Sequence, residues 1–172
     1  METFQEYIAE YKTQLEKGIL QKAYKGLMEY IMGLRTHLAN TYPDYFVSSS
    51  IYYGYMDMTY FSFFPPSLKA RGLKAGIVFI HEHCRFEAWL FGYNKGVQTK
   101  YWNFFKESGW DKYHLVPTTK GEDSILEHIL VKDPDFSHLD HLTGQIEAGS
   151  LAFIADVEQF LSSQALPMPV RS

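Results

Sequence analysis

At Phe46 the apolar residues of this chain stop recurring every three or four positions and begin to alternate, and the alternation runs on to Tyr93. A period of two places successive side chains on opposite faces of an extended backbone, so strands are expected along this stretch. Its Val, Ile, Tyr and Phe content suits a pleated surface. The pattern predicts strands near 46–53, 57–64, 75–82 and 86–93. Gly54 to Asp57 turns the first hairpin, and Pro65-Pro66-Ser67 ends the second strand because proline cannot donate to a ladder. Consecutive hairpins make the sheet antiparallel. Both faces of the third and fourth strands carry apolar residues, Ile77 and Phe79 against Val78 and Ile80, and Trp89 and Phe91 against Ala88 and Leu90. Part of the sheet is therefore expected to be covered on both sides, and any bare face would be an interaction surface.

Before this stretch the period is helical. Thr3-x-x-Glu6 is a capping box, and Phe4, Tyr7, Ile8, Tyr11 and Leu15 follow on one face as far as Gly18. Leu20, Tyr24, Leu27, Met28, Ile31, Leu34 and Leu38 form a second stripe, ended by Asn40 and the Tyr42-Pro43 step. After the alternating stretch, Asn94 or Lys95 opens a third helix that stops at Gly109. A short strand is expected at 113–116, and Thr118 to Asp123 reads as a polar loop. Ile125, Leu126, Ile129 and Leu130 suit either a helix or a strand, and Asp133-Pro134-Asp135 is a break. A last helix is expected from Leu139 to Leu161 despite Gly144 and Gly149. The sum is an α+β fold, an antiparallel β-meander of four or more strands packed with N-terminal and C-terminal helices. It is expected to form one domain over 1–165 with a flexible tail, 166–172, around Pro167-Met168-Pro169.

Several runs resemble an uncharacterised bacterial family catalogued only as a domain of unknown function. They are Gly54-Tyr55-Met56-Asp57-Met58-Thr59-Tyr60-Phe61-Ser62-Phe63, Leu73-Lys74, Phe86-Glu87-Ala88-Trp89-Leu90 with Gly92-Tyr93-Asn94-Lys95, and Asp133-Pro134-Asp135-Phe136. The resemblance covers nearly the whole chain. It brings no activity, cofactor or catalytic residue, and it implies a stand-alone bacterial cytoplasmic protein.

Charge and composition narrow the partners. A formal charge of −4 opposes the phosphate neutralisation on which sequence-independent nucleic-acid binding depends, so no nucleic acid is expected. The single Cys84 and an N-terminus without a basic, apolar leader fit a reducing cytoplasm. No run approaches the ~18 apolar residues that span a bilayer, so a soluble protein without a membrane partner is expected. The remaining partners are a small molecule or another protein, and oligomeric state is not legible.

The titratable residues cluster in His81-Glu82-His83-Cys84-Arg85-Phe86-Glu87. His81 and His83 at i and i+2 would share a face on a strand, but no third ligand stands at a recognisable spacing, so neither a metal nor another cofactor is expected. The loop between the third and fourth strands decides which groups meet. An even loop sets Glu82 against Glu87, and an odd one sets His81 against Glu87. Cys84-Arg85 lacks the Gly or Asn of a two-residue turn, which favours a three-residue loop, His83-Cys84-Arg85, and a His81–Glu87 pair. That pair would be structural first and a general acid/base pair second.

Three functional classes follow. The favoured one is a non-enzymatic binding or interaction module, because no complete catalytic set can be assembled. A small hydrolase or nuclease-like enzyme would use His81, Glu87 and Asp57. However, Phe86-Glu87-Ala88-Trp89 has Trp where a restriction-nuclease-like core wants lysine. A small-molecule binder would use an aromatic pocket around Trp89, Asn94 and Tyr53. The set Trp89, Trp102 and Trp110 and the tyrosines 52, 53, 55 and 60 invites a cage, although aromatics at strand and helix spacing are more often core. His138 and His141 fit an exposed helix N-terminus, and Cys84 has no positioned base.

Overall fold

The structure, a computed structural model, describes residues 1–164, so the Pro167-Met168-Pro169 region and the tail expected at 166–172 lie outside the described residues. The chain divides into two compact units, Met1–His37 and a second that begins at Leu38. In the first, α1 (Phe4–Glu16) opens on the capping box. The Thr3 hydroxyl accepts from the Glu6 amide at 3.3 Å, and the Glu6 carboxylate accepts from the Thr3 amide at 2.5 Å. Gly18 ends this helix, and α2 (Ile19–Thr41) starts immediately after it. Within α2, Met28, Ile31 and Leu34 are buried at helical spacing.

The second unit begins with the last turn of α2 and holds β1 (Phe46–Val47), β2 (Met58–Phe64), α3 (Pro66–Ala70), β3 (Leu73–Ile80), β4 (Arg85–Gly92), α4 (Lys95–Ser108), β5 (His114–Leu115), β6 (Leu126–Val131) and α5 (Leu139–Ser163). Among the described residues the strands form one six-stranded sheet in the order β1-β2-β3-β4-β6-β5, every neighbouring pair antiparallel. The α+β meander expected from the sequence is the fold. The first strand is shorter than the expected 46–53, because Tyr52 rejoins the sheet only through an isolated bridge to Tyr60. The ambiguous segment at 125–130 is a strand: it gives β4 a partner on its far side, starting from the Ile125 amide donating to Leu90 at 2.7 Å.

The two faces of this sheet differ. On one lie Phe61 and Phe63 of β2, Leu73, Ala75, Ile77 and Phe79 of β3, and Phe86, Ala88 and Leu90 of β4, all buried. His128 of β6 shares this face. Its ring and that of Tyr113 lie against Phe153 of α5 at 6.3 and 4.8 Å, which puts α5 on the same side. Leu142, Ile146, Phe153, Ile154, Val157 and Leu161 supply the buried stripe of α5. Gly149 lets the helix close on β6, since a Cβ there would come within 2.8 Å of Leu130 Cδ2. Phe105 of α4 and Trp110 stack on Phe160 and extend the same layer.

The opposite face carries Met58, Tyr60, Ser62, Lys74, Ile80, Arg85, Phe91 and Glu127, all half-buried, with Phe46 and Ile129 exposed. Val78, Glu87 and Trp89 are buried on it. Trp89 is thus sealed by its own neighbours, its indole NH donating to Glu87 at 2.6 Å. Trp89→Ala removes a buried ring and leaves that carboxylate short of a donor, and should cost about 3–5 kcal/mol in urea unfolding. A loss below roughly 1 kcal/mol would contradict this burial.

Candidate functional site

The turn after β3 decides what the site contains. The last pair of the β3–β4 ladder is Ile80 with Arg85, so the loop has four residues, His81-Glu82-His83-Cys84, in place of the three expected. The Cys84 amide donates to the His81 carbonyl at 3.2 Å, and Cys84 takes a left-handed φ of 47° without being glycine. This extra residue sends His81 and Glu87 to opposite faces, because a shift of one in register moves every side chain across the sheet. The expected His81–Glu87 pair does not form. Glu82 is exposed in the turn, beyond the ladder, and does not stand opposite Glu87 either.

His81 instead meets Thr59, with its Nε2 2.8 Å from the hydroxyl. Thr59 spends its one hydroxyl proton on the Tyr53 carbonyl at 2.7 Å, so Nε2 is the donor in this contact and carries the hydrogen. The imidazole stands edge-on to Phe79 at 5.1 Å, and burial pulls its pKa down against the opposing pull of Asp57. Asp57 is exposed and caps its own turn by accepting from the Tyr55 amide at 2.8 Å, which holds its pKa below the usual carboxylate value. Tyr53 contributes its carbonyl, and its ring is exposed. Asn94 is the N-cap of α4, accepting from the Val97 amide at 2.9 Å. His138 pairs with Asp135 at 2.7 Å at the start of α5.

Glu87 is 3% exposed on the other face, and its surroundings explain how a charge is tolerated there. Arg85, Glu87 and Trp89 are alternate residues of β4 and project side by side. One carboxylate oxygen accepts from the Arg85 Nε and Nη2, both at 2.7 Å, and the other from the Trp89 indole. All of its charge is spent on fixed donors, as a buried ion requires. The next acid, Glu127 of β6, accepts from the Ser124 hydroxyl at 2.7 Å. Burial pushes its pKa up, aided by the nearby Glu87.

Beside this polar row lies a cleft of about 360 Å³ lined by Tyr52, Met58, Tyr60, Ser62, Lys74, Phe91, Gly92 and Asp123. Its floor depends on Gly76. Tyr60 on β2 and Phe91 on β4 are two strands apart and diagonal, level with Val78 and Lys74 of the strand between, yet their rings stack at 5.6 Å. They lean together over Gly76 of the intervening β3, where a Cβ would come within 3.1 Å of both Phe91 Cε2 and the Phe61 carbonyl. Tyr52 continues the row, 5.2 Å from Tyr60, and Trp89 closes it, 5.9 Å from Phe91. Lys74 stands at one wall with its ammonium 5.0 Å from the Tyr93 ring. Asp123 comes from the 118–124 loop, which α4 holds in place. Lys95 donates to the Thr119 and Glu122 carbonyls at 3.1 and 2.7 Å, and the buried Gln98 to Glu122 and Ser124 at 2.9 and 3.1 Å. Asp123 also helps burial push up the pKa of the Tyr60 hydroxyl.

Of the residues picked out by sequence, Tyr52 and Tyr60 line the cleft, Trp89 adjoins it only through the Phe91 ring, and Tyr53 and Asn94 do not line it. The lining residues Ser62, Lys74 and Asp123 were missed. Each is an ordinary polar residue in sequence, and only the strand alternation and the loop tether bring them together. Among the described residues no group of three or more His, Cys, Asp or Glu could hold a metal ion, and no helix is long and apolar enough to cross a membrane.

Fold and site define an α+β protein with one face of its sheet sealed by helices and the other carrying an aromatic cleft. The chain belongs to the domain of unknown function DUF7000, whose pattern matches residues 4–161. No curated protein and no solved structure matches it.

Two half-buried imidazoles give the protein a defined acid response. Burial lowers the pKa of both His81 and His128. Below the usual 6.5 the unfolded chain takes up protons that the folded one refuses, so stability falls as pH drops through that window toward the lowered folded values. Glu127, with its raised pKa, has the opposite sign and costs stability above 4.5. Urea unfolding between pH 5 and 7 should show that loss with acid, flattened in His81→Gln and His128→Gln, while Glu127→Gln stabilises at pH 7. An unchanged slope in both histidine variants would contradict the burial assigned to them.

Proposed function

We propose that the protein is a small-molecule-binding module whose ligand lies on the open sheet face, over Tyr60 and Phe91. The cleft beside the stacked pair carries the proposal. Its volume of about 360 Å³ falls inside the roughly 300–1,000 Å³ of small-ligand sites. Its floor is aromatic, formed by the Tyr60 and Phe91 rings that the missing side chain of Gly76 leaves room for. The chemistry of the rim selects the ligand. Lys74 offers an ammonium to an acid group, Asp123 a carboxylate to a cation or donor, and Ser62 a hydroxyl. A planar aromatic molecule bearing both charges, such as an aromatic amino acid, satisfies all three surfaces together.

Three indoles separate these contributions: tryptophan with both charges, indole-3-propionate with the acid alone and tryptamine with the amine alone. In amide spectra, all three should shift Tyr52, Tyr60, Lys74, Phe91 and Asp123, with tryptophan binding most tightly. Tyr60→Ala should weaken all three. Lys74→Gln should weaken the two acids about tenfold, the value of one charge-assisted contact of about 1.4 kcal/mol, and spare tryptamine. Absence of any shift in these residues up to about 5 mM ligand, equivalent to roughly 3 kcal/mol of binding, would reject this reading.

A further inference from the structure

Beyond Lys74 the aromatic cleft has a neighbour on the same face of the sheet. A hollow of about 180 Å³ lies between the Phe46 and Phe64 rings, which are 5.0 Å apart, and Tyr93, with Lys69 and Lys74 at its sides. Lys74 lines both cavities and joins them. The strands account for the continuity. Tyr60, Ser62 and Phe64 are alternate residues of β2 and share the open face, and Phe46 of β1 stands opposite Phe64. On the far side the Tyr93 amide donates to the Gly72 carbonyl at 2.8 Å, which keeps Tyr93 beside the start of β3. The hollow is smaller than the roughly 300–1,000 Å³ of small-ligand sites, so it is an annex and no site in its own right, while the two cavities together stay inside that range.

The two cavities differ in charge, and the difference selects an occupant. Asp123 and Lys74 line the cleft, whereas among the described residues two lysines and no acid line the hollow. The Lys69 ammonium stands 6.0 Å from the Phe46 ring and that of Lys74 5.0 Å from the Tyr93 ring, so both charges border apolar surface. We infer that the ligand is a dipeptide, an aromatic residue followed by an apolar one. Its N-terminal ring lies on Tyr60 and Phe91 with the amine toward Asp123, its second side chain fills the hollow, and its C-terminal carboxylate sits between Lys74 and Lys69. This rests on the small-molecule reading of the cleft and extends it. Tyr60 and Phe64 are four residues apart on β2, roughly 13 Å along the strand. A single amino acid spends its carboxylate at Lys74 and ends there. Joining that carboxyl in an amide carries a second residue about 3.8 Å further, past Lys74, and moves the free acid on toward Lys69. A longer peptide has the same amine and side chains but brings the lysines no anion.

Amide spectra of the full chain, titrated with tryptophan, tryptophyl-glycine, tryptophyl-leucine and tryptophyl-leucine amide, test this. All four should shift Tyr60 and Phe91, and tryptophyl-leucine should also shift Phe46, Phe64, Lys69 and Tyr93, which tryptophan leaves in place. Tryptophyl-leucine should bind about tenfold more tightly than tryptophyl-glycine, the share of the leucine side chain, and about tenfold more tightly than its own amide, the share of the terminal carboxylate. Phe46→Ala should remove the first difference and Lys69→Gln should reduce the second, with tryptophan binding as before. The wild-type comparisons stand whether or not either variant folds. Tryptophan that shifts the cleft while tryptophyl-leucine binds no better than tryptophyl-glycine would overturn the dipeptide and leave the cleft reading intact. Equal affinity for tryptophyl-leucine and its amide would overturn it in favour of a peptide N-terminus. Silence of Tyr60 and Phe91 toward all four ligands would overturn both.

Discussion

Glu87 can be buried only because Arg85 and Trp89 lie beside it on the same strand, and much of the second unit follows from that row. With residues 85, 87 and 89 on one face, Phe86, Ala88 and Leu90 must take the other, where the helices pack. The reverse assignment would press Arg85 and Glu87 into the layer against α5, away from all water, at a cost of several kcal/mol per ion. The alternation of β4 therefore chooses which face of the sheet receives the helices. The other face is left with side chains that satisfy one another locally and keep part of their surface in water.

Among the described residues of the second unit, that face has no helix or strand packed across it. Strands twist and side chains stand roughly upright, so aromatic rings two strands apart do not ordinarily meet. At Gly76 the absent side chain lets Tyr60 and Phe91 fold toward each other, and the rings of Tyr52 and Trp89 extend the row in both directions. The result is a preformed platform, and a ligand settling on it need order little of the protein, which lowers the entropic cost of binding. Gln98 and Lys95 do the same for the rim, tying the 118–124 loop to the first turns of α4.

The sequence states periods clearly and parities poorly. The change at Phe46, the capping box at Thr3, the stop at Gly109 and the break at Pro134 each rest on a local rule, and the elements they bound are in the structure. α3 follows Pro65 so closely that it offers no pattern of its own, and β1 stops after Val47. The decisive miss was one residue in the turn after Ile80. A left-handed conformation at Cys84 has no signature in the residue type, yet it lengthens the loop to four, separates His81 from Glu87 and dissolves the only acid/base pair that spacing suggested. Lys74, Ser62 and Asp123 were silent for a related reason, since their meaning comes from residues across the sheet and from a tether 25 positions away in the chain, between Gln98 and Asp123.

The central claim is that one sheet face is sealed and the other open. Hydroxyl-radical footprinting of the native protein, read residue by residue by mass spectrometry, compares like side chains on the two faces. Tyr52, Tyr60 and Phe91 should be oxidised readily, while Tyr101, Phe61 and Phe153 are protected until the protein unfolds. Protection of Tyr60 and Phe91 equal to that of Tyr101 and Phe153 would mean that the face is covered, and the account of an open aromatic platform would be wrong.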